Sequence, residues 1–592
     1  MNGLRILLRG TSPPLTQPLS PSCFSLYCIP MPSSPFTTFS CLAAPSFFGI
    51  RSIPSHYHLH SGNARRREMA GTSGANIMSA VKENIELTEV EQKIFAKMMD
   101  AVRHFNLSTQ LRVAGGWVRD KLLGKDCYDI DIALDNMLGR DFCEKLNDYL
   151  QTIGEETKNV AVIMSNPDQS KHLETARMRV NGIWIDFVNL RAETYADNSR
   201  IPKMEFGTAE QDAYRRDLTI NSLFFNINTG SVEDFTTRGF SDLRNGIIST
   251  PLPPRCTFLD DPLRVLRAVR FGARFNFSLD EELKKAAAAK EVTDALSNKV
   301  SLERIGHEIE LMLTGPRPVE AMHLLVELDL FSTVFKPPPN LADSIPDNWP
   351  RLCVSCMEMV LKTLDLFGST KLLTEQKKLC FLSALFWPLR DVTVAQKKNR
   401  QIRVSSIIIR ESLKLKVSDG DAVLALHDAA KEFIKITVKF SKGGDDVANN
   451  KRDFGLNGSL QSSHEADMRV QLGLLLMKIR VLWRSALVIS SILQDQMDYS
   501  WILDGNGSLE AAKHCIEFEN LILRLGLENI WELKPLLDGQ LIMEVLGLQN
   551  GGPQIKEFKD RAFRWQLAHP TATVKECLDW FQEEHSKRIK TQ

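Results

Sequence analysis

The stretch Leu111-Arg-Val-Ala-Gly-Gly-Trp-Val-Arg-Asp120, with Tyr128-Asp-Ile-Asp-Ile-Ala-Leu134 close behind it, decides how the front of this chain is read. Arg112–Ala114 reads as a strand, Gly115-Gly116 as a turn, and a short helix starts near Trp117. A Gly-Gly turn entering a helix lets backbone N–H groups approach a phosphate closely. Strand side chains alternate with period two, so Asp129 and Asp131 share one face and Ile130 and Ile132 the other. Adjacent carboxylates repel, which suits a site where a divalent cation neutralises them. A polar strand face turned to solvent has the same pattern.

Working downstream, Leu173–Val180 and Ile183–Leu190 are β-rich runs separated by Asn181-Gly182, a two-residue hairpin signal. Asp186 interrupts the apolar second run, and a charge there needs a partner. Either a metal shared with Asp129 and Asp131, or Arg177 or Arg179 across the hairpin, supplies one. Three carboxylates around Mg²⁺ suit in-line phosphoryl transfer by two metals. Arg215-Arg216-Asp217 follows, read as part of a helix running to Asn221 and leading into a strand. Neighbouring guanidiniums clamp phosphates bidentately, or simply line a solvated helix face. Asn228-Thr229-Gly230 turns into Ser231–Phe235, and Asn245-Gly246 opens a closing turn and short strand.

From about residue 255 helical patterns dominate. Asp260-Asp261-Pro262 reads as a helix start, with Arg264, Arg267 and Arg270 recurring along one side. Asp261 and Arg264, three apart, face the same space. A carboxylate accepts a hydrogen bond and a guanidinium donates one. Cytosine and adenine both offer an amino donor beside a ring-nitrogen acceptor; uracil and guanine reverse that order. The pair thus accepts C and A and rejects U and G, unless it is a plain surface salt bridge. Cys353 and Cys356 form one CxxC without a second pair, which speaks against zinc.

Upstream, Thr88-Glu-Val-Glu91 is a capping box that opens a helix running to about Phe105. Residues 1–67 hold 6 Arg, 11 Ser and 9 Pro but no Lys, Asp or Glu. That acid-free composition fits an organelle transit peptide for mitochondrion or chloroplast. Met69 and Met78 are candidate internal starts for a cytoplasmic or nuclear form. Lys+Arg and Asp+Glu are both 73, which excludes a wholly basic nucleic-acid coat but not a local basic surface. No uncharged apolar run reaches the roughly 18–20 residues of a membrane span; the best, Val481–Leu493, contains Arg484. The 11 scattered Cys suggest free thiols.

The expected organisation is a targeting segment (1–78), an α/β head (79–252), a helical neck that reads the base (253–335), a helical body (336–465) and a helical tail (466–592). In this order the motifs resemble the class II tRNA nucleotidyltransferases, the CCA-adding enzymes, of the polymerase-β-like nucleotidyltransferase superfamily. They are Gly115-Gly116-x-Val118-Arg119-Asp120, Asp129-x-Asp131, Arg215-Arg216-Asp217, Asp260-Asp261-x-x-Arg264 and Ser301-x-Glu303-Arg304. Gly551-Gly552-Pro553 and Arg564-Trp565-Gln566 with His569-Pro570 extend the likeness to the tail of eukaryotic members, and the targeting segment suggests a eukaryotic source, a plant being one candidate.

The resemblance implies a polymerase-β-like head followed by an elongated all-α neck, body and tail. It implies Asp129 and Asp131 on Mg²⁺, with Asp186 as third acid beside the attacking hydroxyl. Gly115, Gly116 and Arg119 are implied at the triphosphate, Arg216 and Asp217 on the nucleotide, and Asp261 and Arg264, with Arg267, at the base. Glu303 and Arg304 brace the neck, and Asp135–Ser170 spans a family loop that helps the switch from CTP to ATP. The implied partners are tRNA, CTP and ATP. A poly(A) polymerase of the same superfamily is the rival, but Asn159–Met164 lacks its Arg-rich signature. A non-catalytic RNA-binding protein with a relic head is opposed by the intact Asp129, Asp131, Arg216 and Arg264.

Overall fold

The computed structural model describes residues 81–163, 174–194, 203–339, 341, 345–396, 400–442, 463–493, 507–548 and 552–591. The chain divides into Met1–Gly71 and Thr72–Gln592. The stretch read as a transit peptide, with Met69 and Met78, lies outside the described residues.

The head opens with α1 (Glu89–His104), capped as its sequence dictates: Thr88 Oγ1 accepts from Glu91 N–H, and Glu91 accepts from Thr88 N–H at 2.7 Å. Glu91 is also buried, and takes the Trp117 indole N–H at 3.1 Å and Lys121 Nζ at 2.7 Å. One carboxylate thus caps α1 and pins it to α2 (Gly116–Leu122). The strands β1 (Leu111–Ala114), β2 (Ile130–Leu134), β3 (Val160–Ile163), β4 (Thr175–Val180), β5 (Ile183–Asn189), β8 (Phe224–Asn226) and β9 (Ser231–Glu233) form one sheet in the order β3-β4-β5-β2-β1-β8-β9. Only β2 and β5 run parallel; the hairpin β4–β5 turns at Asn181-Gly182, both at positive φ. A second ribbon pairs β6 (Arg191–Thr194) with β7 (Lys203–Phe206).

The sheet has two unlike faces. Ile130, Ile132, Met178, Ile185 and Phe187 are buried in the main core, where Phe187 meets Phe142 of α3 (Gly139–Thr152). Each such side chain contributes about 1.5–3 kcal/mol by leaving water. The other face is partly covered around Ala114, Ala133 and Phe224 and open beyond them, where it carries the half-buried Asp131 and Asp186 and the exposed Trp184. Between Asp135 and Ser170, where the family resemblance places a switching loop, the chain forms α3 and β3; residues 164–170 lie outside the described set.

Helix α4 (Ala209–Tyr214) ends before the Arg pair, so the helix expected over Arg215–Asn221 is corrected: Arg215 caps α4, and Thr219–Asn221 is a single 3₁₀ turn. Asp212 causes the break by drawing both guanidiniums back over the last turn. After α5 (Gly239–Asn245), β10 (Ile247–Ile248) pairs in parallel with β11 (Ser278–Leu279), stitching head to neck. The neck comprises α6 (Pro254–Asp260), α7 (Leu263–Phe275), α8 (Glu281–Ala287), α9 (Lys290–Lys299) and α10 (Leu302–Thr314).

Neck and body meet backbone to backbone at Gly306, where a Cβ would fall 1.7 Å from the Leu413 carbonyl oxygen. The body and tail are built on helices, the longest being Val417–Lys442, with one antiparallel ribbon of Thr393–Gln396 and Arg400–Arg403 among them. In the body, Lys378 is fully buried yet compensated by Glu310 at 3.0 Å and Asp419 at 3.1 Å. Cys353 and Cys356 are buried in Trp349–Phe367, and burial pushes the Cys356 thiol up to about 12. In the tail, the Gln566 amide spans Lys534 O and Leu536 N–H, each at 3.0 Å. Among the described residues, no helix is long and apolar enough to cross a membrane.

Candidate active site

The parallel register of β2 and β5 sets Asp131 directly beside Asp186. The antiparallel register of β4 and β5 sets Arg177 beside Asp186 on the far side. Arg177 grips both oxygens of Asp186, Nε to Oδ1 at 2.5 Å and Nη2 to Oδ2 at 3.0 Å. The cross-hairpin arginine that the sequence offered Asp186 is thus in contact with it. Asp129 is exposed just ahead of β2. Burial pushes the Asp131 carboxyl up to about 6, and the charges of Asp129 and Asp186 add to that; Arg216 and Arg177 only partly offset it. Among the described residues, no three His, Cys, Asp or Glu side chains close into a ready-made metal cage. The donor set itself, hard carboxylate oxygens with crowded negative charge, fits a divalent cation.

The raised carboxyl makes a stability prediction. Its folded pKa lies above the unfolded value, so the folded protein holds the extra proton between about pH 4 and 6. In metal-free protein the stability is full below that window and is lost as pH rises through it. Asp131→Asn in EDTA is therefore expected to raise stability by up to about 2–3 kcal/mol at pH 7. At pH 4 it should change little; thermal melts at the two pH values check this.

Gly115 takes φ +70°, and a Cβ there would meet Arg216 Nη1 at 2.7 Å, so the turn needs glycine to let that guanidinium in. Arg216 lies over the Phe224 ring at 5.0 Å and is oriented by Asp212, which takes its Nε at 2.9 Å and Nη2 at 2.8 Å. Asp212 also takes Arg215 Nε at 2.8 Å. The charges of Arg216 and Arg215 hold the Asp212 carboxyl below its usual range against the opposing effect of burial.

Arg119 lies beside the Gly115-Gly116 turn, its Nη2 3.7 Å from where a Cβ on Gly116 would fall. It is 3% exposed, donates to Asp120 at 2.8 Å and to Asn221, and sits over the rings of Phe271 and Phe275 on α7. These contacts tie the head to α7 of the neck. Asp217 is buried too. Burial opposes its charge, but Arg267, with Nε at 2.6 Å, and Asn221, at 3.1 Å, hold its carboxyl down at about 2. Arg267 thus serves Asp217 in this geometry, and Arg270 serves Glu308 at 2.6 Å.

At the neck, Asp260 closes α6, Asp261 is extended, and α7 starts after Pro262. Both oxygens of Asp261 are held by Arg304 of α10, at 3.3 and 2.7 Å. Arg264 donates from Nη2 to the Arg215 carbonyl at 2.8 Å, which docks the proposed base-reading pair against the Arg215-Arg216 corner. Asp212 and Asn221 as orienting partners carry no periodic or motif signal, whereas the Asn181-Gly182 hairpin already offered Arg177 to Asp186. Asp212 stood three and four residues before the two arginines it clamps, and that spacing was the available clue.

Two comparisons of the sequence bear on this geometry. Residues 111–249 match the family described as poly A polymerase head domain, and residues 276–344 that described as probable RNA and SrmB-binding site of polymerase A. The mitochondrial CCA tRNA nucleotidyltransferase of Saccharomyces cerevisiae is 34% identical over 549 residues, covering 86% of this chain and 95% of the yeast protein. The chain belongs to the CCA tRNA nucleotidyltransferase family. Its Candida glabrata member, also named mitochondrial, is 32% identical over 84% of this chain and 96% of that protein. The CCA-adding enzyme of Bacillus stearothermophilus, solved with CTP, shares the fold at TM-score 0.56 and 20% identity, covering 86% of this chain and all of the bacterial one. The head is therefore of the polymerase-β-like nucleotidyltransferase type, in a family whose superfamily generally uses divalent metal ions.

Proposed function

We propose that this enzyme adds C, C and A in turn to the 3′ end of tRNA, taking them from CTP and ATP without a nucleic-acid template. The observation that carries the reading is the in-register Asp131–Asp186 pair on the open sheet face. In the sequence of roles, Gly115, Gly116 and Arg119 contact the triphosphate, and Arg216 and Asp217 position the nucleotide, Arg216 by its phosphates and Asp217 near its ribose. Asp261 and Arg264 pair with the incoming base. Asp186, turned from Arg177, orients the 3′-hydroxyl that attacks the α-phosphate, and pyrophosphate leaves. A divalent cation held by Asp129 and Asp131, which we take to be Mg²⁺, supplies Lewis acidity to the attacking hydroxyl and the leaving oxygen.

The division into head (79–252), neck (253–335), body (336–465) and tail (466–592) assigns catalysis to the first, base choice to the second and tRNA binding to the last. Residues 1–78 deliver the enzyme to mitochondrion or chloroplast, and starts at Met69 or Met78 give cytoplasmic and nuclear forms. The mitochondrial names of the two yeast relatives support the first destination.

Arg304 fixes Asp261, so base choice depends on a residue that touches no nucleotide. Arg304→Ala is expected to weaken discrimination against UTP and GTP about tenfold while CTP turnover changes less, because one charge-assisted contact is worth about 1.5–3 kcal/mol. Competition between paired nucleotides reads this directly. The reading itself is tested by supplying CTP alone to tRNA lacking its last three nucleotides. Addition that stops after two residues supports it; no use of CTP, with long tails from ATP, moves the assignment to a poly(A) polymerase.

A further inference from the structure

The open sheet face carries an aromatic side chain that neither the catalytic carboxylates nor the core uses. On β5, Trp184 is 49% exposed, while its strand neighbours Ile185 and Phe187 on the other face are fully buried. Among the described residues of β2, β4 and β5 it is the one exposed aromatic. Trp184 precedes Asp186 by two positions, so both point from the same face, about 6.8 Å apart along the strand. One step beyond the Ile130–Ile185 rung lie Asp129 and Trp184. Across the hairpin Trp184 is paired with Arg179, which is exposed and spends its Nε on the Gly182 carbonyl at 3.0 Å.

We infer that Trp184 and Arg179 form the seat for the last nucleotide of the RNA being extended, its base stacked on the indole and its phosphate beside the guanidinium. The inference rests on the CCA-adding reading and deepens it. The hydroxyl that attacks belongs to the terminal nucleotide, and Asp186, which orients it, lies one ribose-sized step from Trp184. The terminal base changes during one round: first the end of the trimmed tRNA, then C, then C. A hydrogen-bonding pocket built for one base would reject the others. An aromatic face accepts every base, because each has a π-surface. Indole stacking thus meets what an enzyme that extends three successive ends requires, while Asp261 and Arg264 keep selectivity for the incoming base alone.

The test measures steady-state extension of three RNAs, tRNA lacking its last three, two or one nucleotides, by wild type, Trp184→Ala and Trp184→Phe. Trp184→Ala is expected to raise KM for all three RNAs about tenfold, and Trp184→Phe to recover most of it. KM for CTP and ATP should stay within about twofold, which a general loss of structure would not allow. In parallel, tRNA titrated into wild type should quench a tryptophan signal that is missing from Trp184→Phe. Unchanged KM for RNA in Trp184→Ala, or an undiminished quench in Trp184→Phe, overturns the seat. Should wild type fail to extend any of the RNAs, the CCA-adding reading falls, and the fluorescence titration still decides whether Trp184 meets the RNA.

Discussion

Asp131→Asn is expected to lower kcat for nucleotide addition by about 1000-fold or more, with tRNA binding and folding retained. Asparagine keeps the shape of the side chain and one acceptor oxygen, and removes the charge. That charge is costly in the metal-free fold: burial pushes the carboxyl up to about 6, with Asp129 and Asp186 adding to the effect. A polar strand face with no further task has no reason to set Asp131 beside Asp186 with the charge of Asp129 adding to theirs. The variant therefore gains stability in EDTA at pH 7 and loses chemistry in the presence of the cation. The two opposite effects of one substitution separate a functional carboxylate from a structural one. Single-turnover extension with saturating CTP, beside a gel-shift titration with tRNA, measures both sides. Retained turnover would remove Asp131 from the reaction.

Asp212→Ala is expected to damage both stability and nucleotide affinity. The carboxylate is buried, and it holds Arg215, Arg216 and the Arg191 N–H, the last at 3.1 Å. Taking one partner from a buried ion cluster costs about 3–5 kcal/mol. The same loss frees Arg216 from the position over Phe224 in which it fills the space above Gly115. KM for CTP and ATP should rise together, by about 100-fold, since a misplaced guanidinium forfeits its bidentate hold on phosphate. Urea unfolding and steady-state kinetics test the two parts. A loss of stability with unchanged KM would leave Asp212 structural and withdraw Arg216 from the triphosphate.

Much of the head was legible in the sequence because its signals are local. Period two put Asp129 and Asp131 opposite Ile130 and Ile132, and both isoleucines are buried. Asn181-Gly182 announced the hairpin, and Thr88 with Glu91 the first helix. What escaped depends on contacts that no local spacing encodes. Arg304 reaches Asp261 from 43 positions away, and Arg119 becomes a buried brace only once Phe271 and Phe275 of α7 close over it. The Arg215-Arg216 pair looked helical by propensity. Asp212 overrode that by offering both guanidiniums a charged partner one turn back, and the helix stops at Tyr214.

The central claim, ordered and self-limiting addition of three nucleotides, is tested most directly by sequencing the 3′ ends of tRNA lacking its last three nucleotides after long incubation with the full chain, Mg²⁺, CTP and ATP together. One dominant end, C-C-A, with no growth beyond it, is expected, and the untreated end from Asp131→Asn run alongside. Tails of repeated A, or ends in which the order of C and A is random, would contradict it.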